Sequence, residues 1–126
     1  MPERRTPSNI RELAHDSWAE YLDALSKELL NARVSIEVLG AGSPPTLQAK
    51  DLALRALAYD RRGDVFEVAV ACSGPRRNSV LRHTVDHPER VAVDNHTMLA
   101  PMTIAVDGRD GLRTEIRIER DAEFAG

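Results

Sequence analysis

Residues 17–39, SWAEYLDALSKELLNARVSIEVL, contain a helix pattern followed directly by a strand pattern. From Trp18 to Leu29, apolar side chains recur at three- and four-residue intervals, which predicts an amphipathic helix over 17–31. The period then falls to two, because valine and isoleucine alternate with serine and glutamate. This second pattern predicts a half-buried strand over 33–39.

Local signals predict where the helix begins and ends. Ser17 and Glu20 have the spacing of a capping box, in which each side chain binds an otherwise unpaired backbone N–H. Residues 9–15 are expected to form a leading turn or short helix, and Asn31 is a plausible helix stop.

Short strands are predicted along the rest of the chain by apolar runs and alternation, at 52–59, 64–72, 90–94, 102–106 and 112–119. Residues 52–59 are rich in leucine and alanine and could also form a helix. The connection that contains Gly63 favours a hairpin with 64–72 instead. Residues 79–85 are expected to form a short helical turn, which must end by His87 because Pro88 follows.

These elements predict an α+β fold with two layers, in which the N-terminal helix packs on a mostly antiparallel sheet of about six short strands. The apolar faces expected to meet are Trp18, Leu22, Leu25 and Leu29 on the helix, and Ile36, Val68, Ile116 and Ile118 on the sheet.

Length and composition are those of one globular domain. The 126 residues fit a single domain with an ordered core at about 10–120, and 1–9 and 121–126 are expected to be flexible. The net charge of −3 and the 4% aromatic content argue against a nucleic-acid-binding protein. No apolar run approaches the roughly 18 residues of a membrane span, and one cysteine, Cys72, suits the reducing cytoplasm.

The order of these signals resembles that of a family of small bacterial proteins classed as a domain of unknown function. The similarity extends over about residues 17–119 and is found in SWAEYL at 17–22, VSIEV at 34–38, Leu47-Gln48, Tyr59-Asp60 with Asp64, HTVDHP at 83–88, Arg90-Val91 and the closing alternation at 114–119. The resemblance implies a helix packed on an antiparallel sheet and favours a strand at 52–59. It implies no catalytic residue, cofactor or activity.

One histidine-rich segment is a candidate metal site. His83 and His87 are four residues apart and flank Asp86, a spacing that can bind zinc from one face of a helix. Pro88 opposes a helix at His87, and the glutamate of the H-E-x-x-H motif is missing. The alternative is that His83 and His87 only cap the turn before the next strand or form hydrogen bonds with it.

Arg76, Arg77 and Arg82 form a second candidate site, because a guanidinium group binds a phosphate or an acidic partner. Fifteen of the 17 basic residues are arginine, however, so such clusters are expected from composition. No cofactor is predicted, since the glycines at 40 and 42 lack a third and are followed by prolines.

The sequence therefore favours a non-catalytic cytoplasmic domain that acts through protein or small-ligand contacts, with a protein partner or self-association. It predicts no bound metal, nucleic acid or membrane. The alternative hypothesis is a small metal-dependent enzyme that uses His83, Asp86 and His87.

Overall fold

The computed structural model describes residues 10–40, 42–72, 79–95 and 102–119. Within them, a 3-10 turn at His15–Ser17 leads into helix α1 at Trp18–Glu28. The strands are β1 Ile10–Glu12, β2 Arg33–Gly40, β3 Ser43–Asp60, β4 Val65–Ala71, β5 Val80–Asp86, β6 Pro88–Asn95, β7 Met102–Gly108 and β8 Arg113–Glu119.

All eight described strands join one sheet in the order β1-β6-β7-β8-β2-β3-β4-β5, and each neighbouring pair is antiparallel. The long strand β3 connects its two parts. Residues 43–53 pair with β2, whereas residues 54–60 pair with β4.

Bulges bend the sheet at β3. The register against β2 shifts three times. For example, Val34 faces Leu52, but Ile36, two residues later, faces Ala49, which is three residues earlier in β3. Asp51 occupies one bulge at φ 54°, and its N–H donates to Ser35 Oγ at 3.1 Å. Because each bulge adds local twist, the sheet curls strongly along this strand.

The curl brings β5 back toward β6 and β7, near the other end of the sheet. Strands β5 and β6 are connected by His87 alone, although five strands lie between them in the sheet order. A Cβ added at Gly108 of β7 would lie 3.1 Å from Val85 Cγ1 of β5. The inner faces of the sheet therefore pack partly against each other.

Helix α1 lies against β3 and completes the core. Trp18, Leu22, Leu25 and Leu29 join one hydrophobic cluster with Ile36, Val68, Ile116 and Ile118, so the predicted packing of helix on sheet is confirmed. Ser26 Oγ also accepts the N–H of Leu57 at 3.0 Å, which ties the helix directly to the strand.

The antiparallel α+β class is confirmed, and the strand at 52–59 is confirmed as the second half of β3. The estimate of about six strands is wrong, because eight are described. One additional strand is β1, where a turn was expected; another is β5, where the short helical turn at 79–85 was expected. Strand β3 begins at Ser43 and is longer than the predicted strand at 52–59.

The predicted capping box is also wrong. Ser17 already has helical φ and ψ because it is the last residue of the 3-10 turn, and its hydroxyl donates back to Ala14 O at 2.8 Å. The helix ends at Glu28, earlier than predicted, and Asn31 takes a left-handed φ of 72° that redirects the chain. The segments expected to be flexible, 1–9 and 121–126, lie outside the described residues.

Candidate functional site: the β5 edge and its corner

Four of the candidate residues lie on β5 or directly after it. The burial alternates along the strand: Leu81, His83 and Val85 point inward, whereas Val80, Arg82, Thr84 and Asp86 point to solvent. This period of two predicts a strand, and the polar residues at 82, 84 and 86 are the signal that could have revealed it.

The hydrogen-bond register determines which backbone groups of β5 face outward. Cys72 N–H donates to Ser79 O at 3.0 Å, and His87 N–H donates to Asp64 O at 2.8 Å. Since bonded and non-bonded pairs alternate in an antiparallel ladder, the N–H and C=O groups of residues 81, 83 and 85 face β4. Those of residues 80, 82, 84 and 86 face away from it.

This outer side of β5 is free within the described part of the chain. No other described strand pairs with it, since β5 is the last strand in the sheet order. We call the outward backbone groups of residues 80, 82, 84 and 86 the β5 edge. Unpaired strand edges of this kind can add a further strand.

His83 belongs to the interior. Its Nε2 lies 3.2 Å from Thr114 Oγ1 of β8, and Thr114 is itself buried. Burial lowers the pKa of His83 below its ordinary value of 6.5, because the charged imidazolium loses hydration. The side chain therefore helps to hold β5 over β8 and is not directed at solvent.

His87 forms a corner with Asp64 at the end of β5. His87 Nδ1 lies 3.1 Å from Asp64 Oδ2, and His87 O accepts the N–H of Arg109 at 3.1 Å. Both His87 and Asp64 have positive φ, 54° and 56°, a left-handed conformation that costs backbone energy. The two bonds from His87 to Asp64, one from the backbone and one from the side chain, offset that cost and fix the turn into β6.

A chain of polar contacts extends from this corner. Tyr59 OH donates to Asp64 Oδ1 at 2.6 Å, and His15 Nε2 lies 3.2 Å from the Tyr59 oxygen. Because the tyrosine proton is directed at Asp64, His15 Nε2 must supply the proton of the second bond. The ring of Trp18 packs edge-on against both His15 and Tyr59.

These contacts shift two pKa values in opposite directions. Burial, followed by the hydrogen bond and the negative charge of Asp64, raises the pKa of Tyr59 to about 12. The hydrogen bonds from Tyr59 and then from His87 lower the pKa of Asp64, since both bonds favour the carboxylate. In this corner, the neutral phenol of Tyr59 and the ring of His87 both contact a charged Asp64 carboxylate.

The structure does not bring His83, Asp86 and His87 to one centre. His83 binds Thr114, His87 binds Asp64, and Asp86 is exposed on the outer face of β5. Among the described residues, no three histidine, cysteine, aspartate or glutamate side chains are close enough to hold a metal ion. A metal site at this spacing requires a helix, and residues 80–86 form a strand.

The arginine cluster is only partly described. Arg82 lies on β5, where its Nε contacts Glu67 Oε2 at 2.9 Å and its side chain is 68% exposed. Arg76 and Arg77 lie outside the described residues. Cys72 is half-buried and forms no disulfide.

Sequence reasoning missed His15, Tyr59 and Asp64 as members of this site. Asp64 directly follows Gly63 in the turn from β3 to β4, and aspartate in a turn often accepts backbone or side-chain bonds. The contact with His87 is between residues 23 positions apart, so nothing in the local pattern revealed it.

A shallow depression of about 230 Å³ lies elsewhere, on the outer face of β8, β2 and β3. Its lining carries both signs of charge and comprises Ser35, Glu37, Leu47, Lys50, Glu115 and Arg117. Glu37 directly faces Glu115 across the β2–β8 ladder, a pairing of like charges that destabilises the ladder slightly.

No described helix is long and apolar enough to cross a membrane.

One of three comparisons with known proteins finds a match. A family model described as a family of unknown function, DUF5335, matches residues 9–124, nearly the whole chain. No curated protein and no solved structure matches the chain significantly. The match includes α1 and all eight described strands, and the chain therefore belongs to the DUF5335 family.

Proposed function

We propose that this protein is a non-catalytic protein-binding domain that adds an extended segment of its partner to the β5 edge. The observation that supports the proposal is the unbroken β4–β5 ladder of seven residue pairs, whose outer side has no described neighbour. Main-chain hydrogen bonds to such an edge supply affinity, and the alternating side chains supply specificity.

Comparison with the other free edges favours β5. Residues 43–53 of β3 also lack a second described neighbour, but this stretch contains Pro44 and Pro45 and three register shifts. Successive N–H groups point to opposite edges, so one of the two prolines removes a donor from the free side. Prolines and bulges are common protections against unwanted strand addition.

The third free edge, β1, has only three residues. Strand β5 has no proline within it and a regular register along its whole length. It is thus the one described edge that combines length, regularity and a full set of outward donors and acceptors.

The rigid corner supports the same proposal. Asp64 and His87 fix one end of β5 through backbone and side-chain bonds, and His83 fixes its middle against Thr114. An edge that is held rigid loses little conformational entropy when a partner binds. No contact among the described residues favours the metal-dependent enzyme as a second candidate.

We also propose a cytoplasmic location. The single cysteine, Cys72, forms no disulfide, which suits a reducing compartment.

The test is a selection of random extended peptides displayed against the purified protein. Peptides that add to β5 should bind the wild type and lose about tenfold or more of their affinity for Thr84→Pro, which removes an outward N–H. The ladder with β4 does not use that N–H, and proline is tolerated on an edge strand. Thr84→Val is the matched control, since it keeps the N–H and the branched side chain.

Equal affinity of the selected peptides for wild type and Thr84→Pro, with both proteins folded by circular dichroism, would show that the peptides bind elsewhere. The β5 edge would then not be the functional surface.

A further inference from the structure

We infer that the partner strand is β5 of a second copy of this chain, added antiparallel across a two-fold axis at Thr84. This inference rests on the proposed function and specifies its partner. The result is one continuous sheet that spans two protomers, with the two β5 strands at its centre.

The geometry of the edge restricts how two copies can pair. Outward groups belong to residues 80, 82, 84 and 86, so hydrogen-bonded pairs must join these residues with one another. A two-fold axis at Arg82 sets Arg82 against its own copy, a repulsive pairing. An axis at His83 sets Val80 against Asp86 and Arg82 against Thr84, which pairs no opposite charges.

An axis at Thr84 gives a complementary interface. Arg82 of each copy then faces Asp86 of the other, and Thr84 faces Thr84. Opposite charges and paired threonines are both favourable directly across a ladder. The three hydrogen-bonded pairs supply about six main-chain bonds, two for each pair.

The exposed side chains are available for these pairings. Arg82 is held near Glu67 at 2.9 Å but remains 68% exposed, and a guanidinium with five donors can bind a second carboxylate. Asp86 is exposed and has no cation within 4.0 Å among the described residues. The unpaired carboxylate of one protomer therefore meets the guanidinium of the other.

The test is sedimentation velocity over a wide range of protein concentration. The wild type should dimerise, and Thr84→Pro should weaken the dimer by about tenfold or more, whereas Thr84→Val should not. Arg82→Asp and Asp86→Arg should each weaken self-association about tenfold or more, because each places like charges in both pairs.

Exchanging the charges at residues 82 and 86 tests the pairing most specifically. An equimolar mixture of Arg82→Asp with Asp86→Arg should form a heterodimer, since both cross-strand pairs are then of opposite charge. The double variant should recover the homodimer. Glu67→Gln controls for loss of the contact with Arg82 and should leave dimerisation intact. Circular dichroism spectra that match that of the wild type confirm that each variant folds.

The outcomes separate this inference from the proposed function. A dimer that is insensitive to Thr84→Pro, or a charge-exchange mixture that stays monomeric, overturns the pairing at β5. A wild type that is monomeric at every concentration also overturns the pairing. The proposed protein-binding function then stands only if selected peptides bind the wild type and lose their affinity for Thr84→Pro. If both experiments fail, both proposals are wrong.

Discussion

Three side chains, two from the hairpin of β3 and β4 and one from the end of β5, set the properties of the corner that supports β5. Tyr59 is only 9% exposed and donates a 2.6 Å bond to Asp64, which also binds His87. The short bond from a phenol to a carboxylate is strong because the acceptor is charged. The corner therefore resists loss of the tyrosine proton.

Titration of Tyr59 tests this arrangement. In a Tyr21→Phe background, ultraviolet absorbance should give a pKa for Tyr59 of about 12, and Asp64→Asn should lower that pKa because the negative charge and its hydrogen bond are lost. Because the pKa of Tyr59 is higher in the folded chain than the unfolded value of 10.0, the protonated tyrosine stabilises the fold. This stabilisation is complete below pH 10 and is lost as the pH rises toward about 12. A Tyr59 pKa unaffected by Asp64→Asn would contradict the contact.

His83 predicts a pH dependence on the acid side. Burial lowers its folded pKa below the ordinary value of 6.5, so the unfolded chain takes up a proton first as the pH falls. Its contribution to stability is present above pH 6.5 and is lost as the pH falls through the folded pKa. Urea unfolding between neutral and acid pH should show a shallower decline for His83→Gln than for the wild type; identical pH profiles would refute a buried, neutral His83.

At the scale of elements, α1 is held by the apolar side chains that face β3 and the inner sheet. Leu25 is 7% exposed in the core, whereas Leu30, just beyond the helix, is 52% exposed. The two leucines thus offer a matched pair that differs mainly in burial.

Leu25→Ala should lower the free energy of unfolding by about 2–5 kcal/mol, because it removes buried methyl groups and leaves a cavity. Leu30→Ala should change it by less than about 0.5 kcal/mol, as expected at the surface. Urea unfolding of both variants measures the difference. Similar losses for the two would mean that the helix presents another face to the sheet.

The elements with strong local periodicity were predictable from sequence, and those set by distant contacts were not. The alternation at Thr114, Ile116 and Ile118 and the helical spacing of Trp18, Leu22 and Leu25 each indicate one buried face. Strand β5 was misinterpreted as a helical turn because its position depends on pairing with β4 and on the contact of His83 with Thr114. The alternative metal site requires His83 and His87 on one helix face, and the strand does not provide that face.

At the scale of the whole molecule, the curl of the sheet determines which edge remains open. The bulges in β3 bend the sheet until β5 lies near β7, and His87 alone connects β5 to β6. Pro44 and Pro45 protect the bent part of β3, and β1 is short. Among the described strands, β5 is left as the long, regular and unprotected edge, and this feature depends on topology that no local pattern encodes.

Amide hydrogen exchange along β5 tests most directly whether its edge is open for a partner. At high dilution the amides of Arg82, Thr84 and Asp86 should exchange fast and those of Leu81, His83 and Val85 slowly, because only the second set is bonded to β4. Raising the protein concentration or adding a selected peptide should slow the first set and leave the second unchanged. Slow exchange of all six amides at high dilution would contradict the account, since the edge would then already be paired within a single chain.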